Sequence, residues 1–94
     1  MQIVWQDEAL NDLEQIVAYY WQEAGPIVAE LMEASILSQI ENLKAFPLKI
    51  RASNRVEGTR ELVMQRLPYI AFVRVTEEVI QIINIVHTAR TFPN

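Results

Sequence analysis

Three apolar, β-prone runs crowded into the last third of this 94-residue chain restrict its folding choices more than any other feature. They occupy residues 59–66, 69–75 and 79–86, and only Leu67-Pro68 and Thr76-Glu77-Glu78 separate them. Breaks that short leave no room for a crossover, so consecutive strands must be antiparallel neighbours. The last run, Val79-Ile80-Gln81-Ile82-Ile83-Asn84-Ile85-Val86, is almost wholly apolar and must be central and covered on at least one face.

The cover has to come from the first half. Gln2-Ile3-Val4-Trp5 is short, β-branched and aromatic, and reads as an opening strand. Asp7 is placed to cap a helix, with Glu8 favourable in its first turn. Leu10, Leu13, Val17, Tyr20 and Ala24 then recur at helical spacing, and Asp12 and Glu14 fall off that stripe. Gly25-Pro26 ends this helix and opens another, because glycine suits a left-handed terminus and proline suits a first turn. The second helix carries Val28, Met32, Ile36, Ile40 and Leu43 on one face and stops near Phe46-Pro47. Residues 47–58 lack periodicity and read as a surface loop. The expected architecture is α+β, one domain over 1–94 in the order β-α-α-β-β-β, with an antiparallel two-helix hairpin on an antiparallel sheet.

Charge is segregated along the chain. Residues 1–41 hold eight acids and no base, whereas 42–74 hold seven bases against Glu57 and Glu61, within a net charge of −4. Acidic helices and a basic loop and sheet make a partner-facing cationic surface a match for the plainer reading of a solvated charge mixture. The acidic total argues against strong non-specific binding to nucleic acid. No apolar run is long enough for a membrane span, no secretory signal opens the chain, and the lack of cysteine fits a reducing cytoplasm. With a single histidine, neither a metal site nor a cofactor is expected.

His87, at the exit of the last strand, is the only imidazole. Placed at one end of a meander, the start of 59–66 and the end of 79–86 would bring Arg60, His87 and Arg90 onto one surface with Lys49, Arg51 and Arg55. Guanidinium groups bind phosphates and carboxylates in bidentate fashion, so such a rim suits either partner. The competing reading pairs Arg60 with Glu61 or with a helix acid. Tyr20 belongs to the core, while an exposed Trp5 or Trp21 would be a partner contact. Met32 and Met64 are core filler.

An ordered set of short motifs narrows the field. Trp5, Ala9, Asp12-Leu13, Ile16 and Tyr19 come first, then Leu43 and Pro47. Arg55-Val56-Glu57-Gly58-Thr59-Arg60-Glu61-Leu62 follows, then Pro68-Tyr69-Ile70, Arg74-Val75, and Val86-His87-Thr88-Ala89-Arg90-Thr91-Phe92-Pro93. Together they resemble the toxins of RelE/ParE-type toxin–antitoxin pairs, and the ParE branch is the nearer. The resemblance implies a toxin neutralised by a cognate antitoxin, with operator DNA reached only through that antitoxin. ParE-like members are similar to poisons of DNA gyrase; RelE-like members are similar to ribosome-dependent messenger-RNA endonucleases.

RNA cleavage would need an acid, a base and cations for the transferring phosphate, with His87 as acid and Arg60 or Arg66 as cation. The loop Leu48-Lys49-Ile50-Arg51 offers neither a glutamate base nor paired lysines, and no tyrosine follows His87. The expectation is therefore a non-enzymatic gyrase poison that meets its target through Lys49, Arg51, Arg55, Arg60, His87 and Arg90. Its antitoxin is expected to cover Trp5, Trp21 and Phe92. A ribosome-dependent endonuclease and a degenerate toxin that acts only as an antitoxin or repressor partner are the alternatives.

Overall fold

The computed structural model describes residues 1–89, so Arg90 and Phe92 lie outside the described residues. The elements run β1 (Gln2–Trp5), α1 (Asp7–Ala24), α2 (Pro26–Glu41), β2 (Arg60–Val63), β3 (Tyr69–Val75) and β4 (Val79–His87), with a short 3₁₀ turn at Asn42–Lys44 after α2. This is the expected α+β order. The sheet order is β1-β4-β3-β2, which puts the apolar β4 and β3 in the middle. β2, β3 and β4 form the antiparallel meander; β1 joins parallel to β4, so the four-stranded sheet is mixed.

Local chemistry explains the element ends. Gly25 takes φ +92°, a backbone region that side chains avoid, and turns α1 directly into Pro26 at the start of α2. α1 begins one residue earlier than expected: Gln6 occupies the cap position, and Asp7 is the first helical residue. α2 ends at Glu41, short of Phe46, and the chain tightens into the 3₁₀ turn that buries Leu43. β2 stops at Val63, because Gln65 and Arg66 enter the turn to β3, where Arg66 adopts φ +65°. Gln39 of α2 braces that turn, its amide donating to the Gln65 carbonyl (3.0 Å) and accepting from the Gln65 N–H (2.7 Å).

The main core lies between the helix hairpin and one face of the sheet. Ala9 and Leu13 of α1, Ile36 and Ile40 of α2, and Ala71, Val73, Ile80, Ile82 and Ile85 of the sheet are all buried there, with Tyr20 and Met32 packed against them. A bulge opposite Phe72 and Val73 lets Ile82 and Ile85 both face the helices although they are three residues apart. Leu10 departs from the expected stripe and is exposed, while the small Ala9 and Ala29 allow close helix contact. A smaller cluster of Ile70, Phe72 and Val86 fills the far face, where Val56 from the 47–58 segment covers it. That segment is more ordered than a surface loop. It doubles back along β2, with the Glu61 N–H donating to the Arg51 carbonyl, the Ser53 N–H to the Thr59 carbonyl, and a bridge between Ala52 and Arg60.

Candidate functional site

The strand register separates residues that the sequence reading had placed on one rim. Arg60 lies opposite Val73, and Val73 opposite Ile82, whereas His87 lies opposite Tyr69 at the other end of β4. Alternate strands of a meander run in the same direction, so the start of β2 and the end of β4 must lie at opposite ends. Five residues from Ile82 to His87 amount to roughly 15 Å along the strand. Arg60 and His87 therefore do not share a surface.

At the β2 entry the other expected cations among the described residues gather at one end of the sheet, on both of its faces. Arg60 shares the helix-facing side of β2 with Leu62 and Met64, and its guanidinium donates to the Ile50 carbonyl at 2.8 Å. Neighbouring side chains on a strand point to opposite faces, so Arg60 cannot pair with Glu61. Glu61 is instead turned to the far face and is 2% exposed. Its Oε1 accepts from Arg51 Nε (3.2 Å) and Nη2 (2.8 Å), and its Oε2 accepts from Ser53 Oγ at 2.7 Å. Burial pushes the Glu61 carboxyl upward, but the hydrogen bonds from Ser53 and Arg51 and the charges of Arg51 and Arg55 outweigh it. The net direction is below the ordinary 4.5.

This buried carboxylate fastens Arg51 and the following turn to the sheet. Ser53 Oγ also accepts the N–H groups of Arg55 and Val56. Arg51 and Arg55, with Ala52 and Asn54, line a small hollow of about 210 Å³. Lys49 sits over the Phe46 ring at 5.6 Å. Arg74, absent from the expected set, is exposed one step past Val73 at this same end. Strand alternation was the signal that would have found it.

The other end carries His87 in different company. Asp12, Gln15, Ile16, Tyr19 and Tyr20 of α1 line a cleft of about 440 Å³ with Tyr69, Ile85 and His87. Tyr69 and His87 meet edge to face at 5.5 Å, and Tyr19 and Tyr20 do so at 5.1 Å. His87 Nδ1 accepts the Ala89 N–H at 3.0 Å, which in the neutral ring leaves the proton on Nε2. Burial, reinforced by the Tyr20 hydroxyl and the nearby Tyr20 and Tyr19, drives the Tyr69 phenol well above its usual 10.0. Asp12 was expected merely to fall off the apolar stripe. Its Oδ2 in fact accepts the Ile85 N–H at 2.8 Å, just beyond the point where β1 stops covering that edge of β4. Arg66 lines a separate cleft with Ser35 and Gln39 of α2 and Asn42 of the 3₁₀ turn, so the candidate endonuclease set of His87, Arg60 and Arg66 is spread over three places.

On the outer side of the hairpin, Leu10, Leu13, Val17, Ala18 and Trp21 line an open groove of about 770 Å³ with Glu14 and Glu33 among its walls. Trp21 is 57% exposed there. Trp5 is not exposed in the expected way: β1 pairs with β4, and the indole packs half-buried against the main core. Among the described residues no group of three or more metal-ligating side chains occurs, and no helix is long and apolar enough to cross a membrane.

Comparison with known proteins places this architecture. A family model for the ParE toxin of the parDE type II toxin–antitoxin system matches residues 3–92. The Sinorhizobium fredii (strain NBRC 101917 / NGR234) protein named "Putative toxin Y4kP" is 32% identical over 91 residues, which covers 97% of this chain and 92% of that protein. The chromosomal ParDE system from P. aeruginosa contains a chain that superposes with a TM-score of 0.84 at 30% identity, over 93% of this chain and 95% of that one. The RelBE2 toxin–antitoxin complex of Mycobacterium tuberculosis shares the fold with a TM-score of 0.65 at 20% identity, covering 95% and 92% of the two chains. The isolated E. coli RelE toxin is more distant, at 0.53 and 15% over 95% and 85%. The fold, the motif order and the near full-length family match agree: the chain belongs to the ParE toxin family of type II toxin–antitoxin systems.

Proposed function

We propose that this toxin acts by docking on a protein target, DNA gyrase, rather than by cutting RNA, and that a cognate antitoxin neutralises it. The separation of His87 from Arg60 along the sheet is the observation that carries the reading. A phosphoryl-transfer site must hold its acid, base and cations within hydrogen-bond reach of one phosphate. Here the imidazole faces tyrosines, and the Arg60 guanidinium is engaged by a backbone carbonyl. The cationic end, with Lys49, Arg51, Arg55, Arg60 and Arg74, suits an acidic protein surface. The groove of Leu10, Val17 and Trp21, walled by Glu14 and Glu33, suits an amphipathic antitoxin segment carrying basic residues.

Expression of the chain alone and beside its neighbouring open reading frame, followed by pulse-labelling of DNA and protein synthesis, tests this. DNA synthesis should stop first, and co-expression should restore growth. If translation stops first and His87→Ala abolishes the effect, the endonuclease reading replaces this one. Unaffected growth would leave a degenerate toxin.

A further inference from the structure

We propose that the cleft between α1 and the end of β4 is a receptor for the guanidinium group of an arginine side chain presented by a partner polypeptide. Its lining is rich in acceptors and aromatic surface and, among the described residues, holds no lysine or arginine: Asp12, Gln15, Tyr19, Tyr20, Tyr69 and His87 with two isoleucines. A guanidinium carries only donors, stacks on aromatic faces and pairs with a carboxylate, so it complements the Asp12 carboxylate, the Gln15 side-chain carbonyl and the aromatic faces of this set.

The parts are held in place before any ligand arrives. The Ile85 N–H engages Asp12 Oδ2, which fixes the carboxylate at the cleft wall and leaves it further lone pairs. Edge-to-face contacts set the Tyr19–Tyr20 and Tyr69–His87 rings, and the Ala89 N–H occupies His87 Nδ1. The surrounding field has the matching sign, since residues 1–41 bear eight acids and no base. A phosphate would instead meet the Asp12 carboxylate, a like charge. A lysine ammonium would meet the charge but lacks the planar face that the rings can stack against. The cleft is distinct from the cationic end of the sheet, so a failure here leaves the toxin reading standing.

The full chain, isotopically labelled, can be titrated with N-acetyl-arginine amide, with the neutral isostere N-acetyl-citrulline amide and with adenosine monophosphate. The expected result is saturable NMR shifts of the His87 and tyrosine ring signals and the Ile85 amide with the arginine compound. The citrulline compound should bind about tenfold more weakly, since a hydrogen bond to a charged group loses its charge. Asp12→Asn should weaken arginine binding by about the same factor while keeping an acceptor for Ile85, and unchanged amide dispersion elsewhere would verify the fold. Equal binding of citrulline, undiminished binding by Asp12→Asn, or the absence of saturable shifts would overturn the assignment. Stronger binding of adenosine monophosphate at these resonances would assign the cleft to a nucleotide instead.

Discussion

Removing the two partners of the Arg51–Glu61 pair one at a time should have unequal consequences. The Glu61 side chain is 1% exposed, whereas that of Arg51 is 63% exposed. In Glu61→Gln the guanidinium returns to water, an amide keeps some of the hydrogen bonds, and the loss should be about 1–2 kcal/mol. Arg51→Ala instead leaves a buried, ionised carboxylate with only the Ser53 hydroxyl and the charge of Arg55 to support it. Breaking a buried pair in that direction costs about 3–5 kcal/mol, and the lower end applies because the lost partner was itself half in water. The double variant, with no buried charge left over, should be more stable than Arg51→Ala alone.

Urea unfolding of the four proteins closes the cycle. Acid should narrow the difference: because folding lowers the Glu61 carboxyl below 4.5, its contribution is present above that pH and fades as pH falls through the folded value. Arg51→Ala weakens the lowering, so its deficit should shrink on acidification. Equal losses for the two single variants, or a deficit that grows in acid, would refute the reasoning.

Asp12→Ala should leave the Ile85 N–H without its acceptor and cost about 1–3 kcal/mol, with faster hydrogen exchange at the Ile85 amide as the local sign. Gly25→Ala should cost about 1–3 kcal/mol through backbone strain alone, since no atom lies within 4 Å of a Cβ there; thermal melts would register it. Ultraviolet titration should show Tyr69 ionising above 10.0, and because its folded value is raised, stability should be intact below that pH and decline as pH rises towards the folded value.

Much of this fold was legible because it depends on local order. Gly25-Pro26 marks the hairpin, and two breaks of two and three residues dictate three antiparallel strands. What escaped depends on contacts between distant residues. Nothing in Gln2–Trp5 says that it will lie parallel to Val79–Ile82, and Asp12 meets an amide 73 residues away. The expected rim failed for a topological reason, since strands two apart in a meander start at the same end. Four of the six expected groups, Lys49, Arg51, Arg55 and Arg60, do lie at one end, because the 47–58 segment folds back on β2 and is close to Arg60 in sequence as well as in space. Arg51, expected to face a target, proved to be shared with the buried Glu61.

Purified gyrase offers the most direct test of the docking account. Added to a supercoiling reaction, the full chain should inhibit the enzyme and accumulate cleaved DNA, and charge reversal at Arg55 and Arg74 should weaken that inhibition while His87→Ala leaves it intact. Gyrase that works undisturbed, beside transcripts cut in a translating extract by the same preparation, would contradict the account.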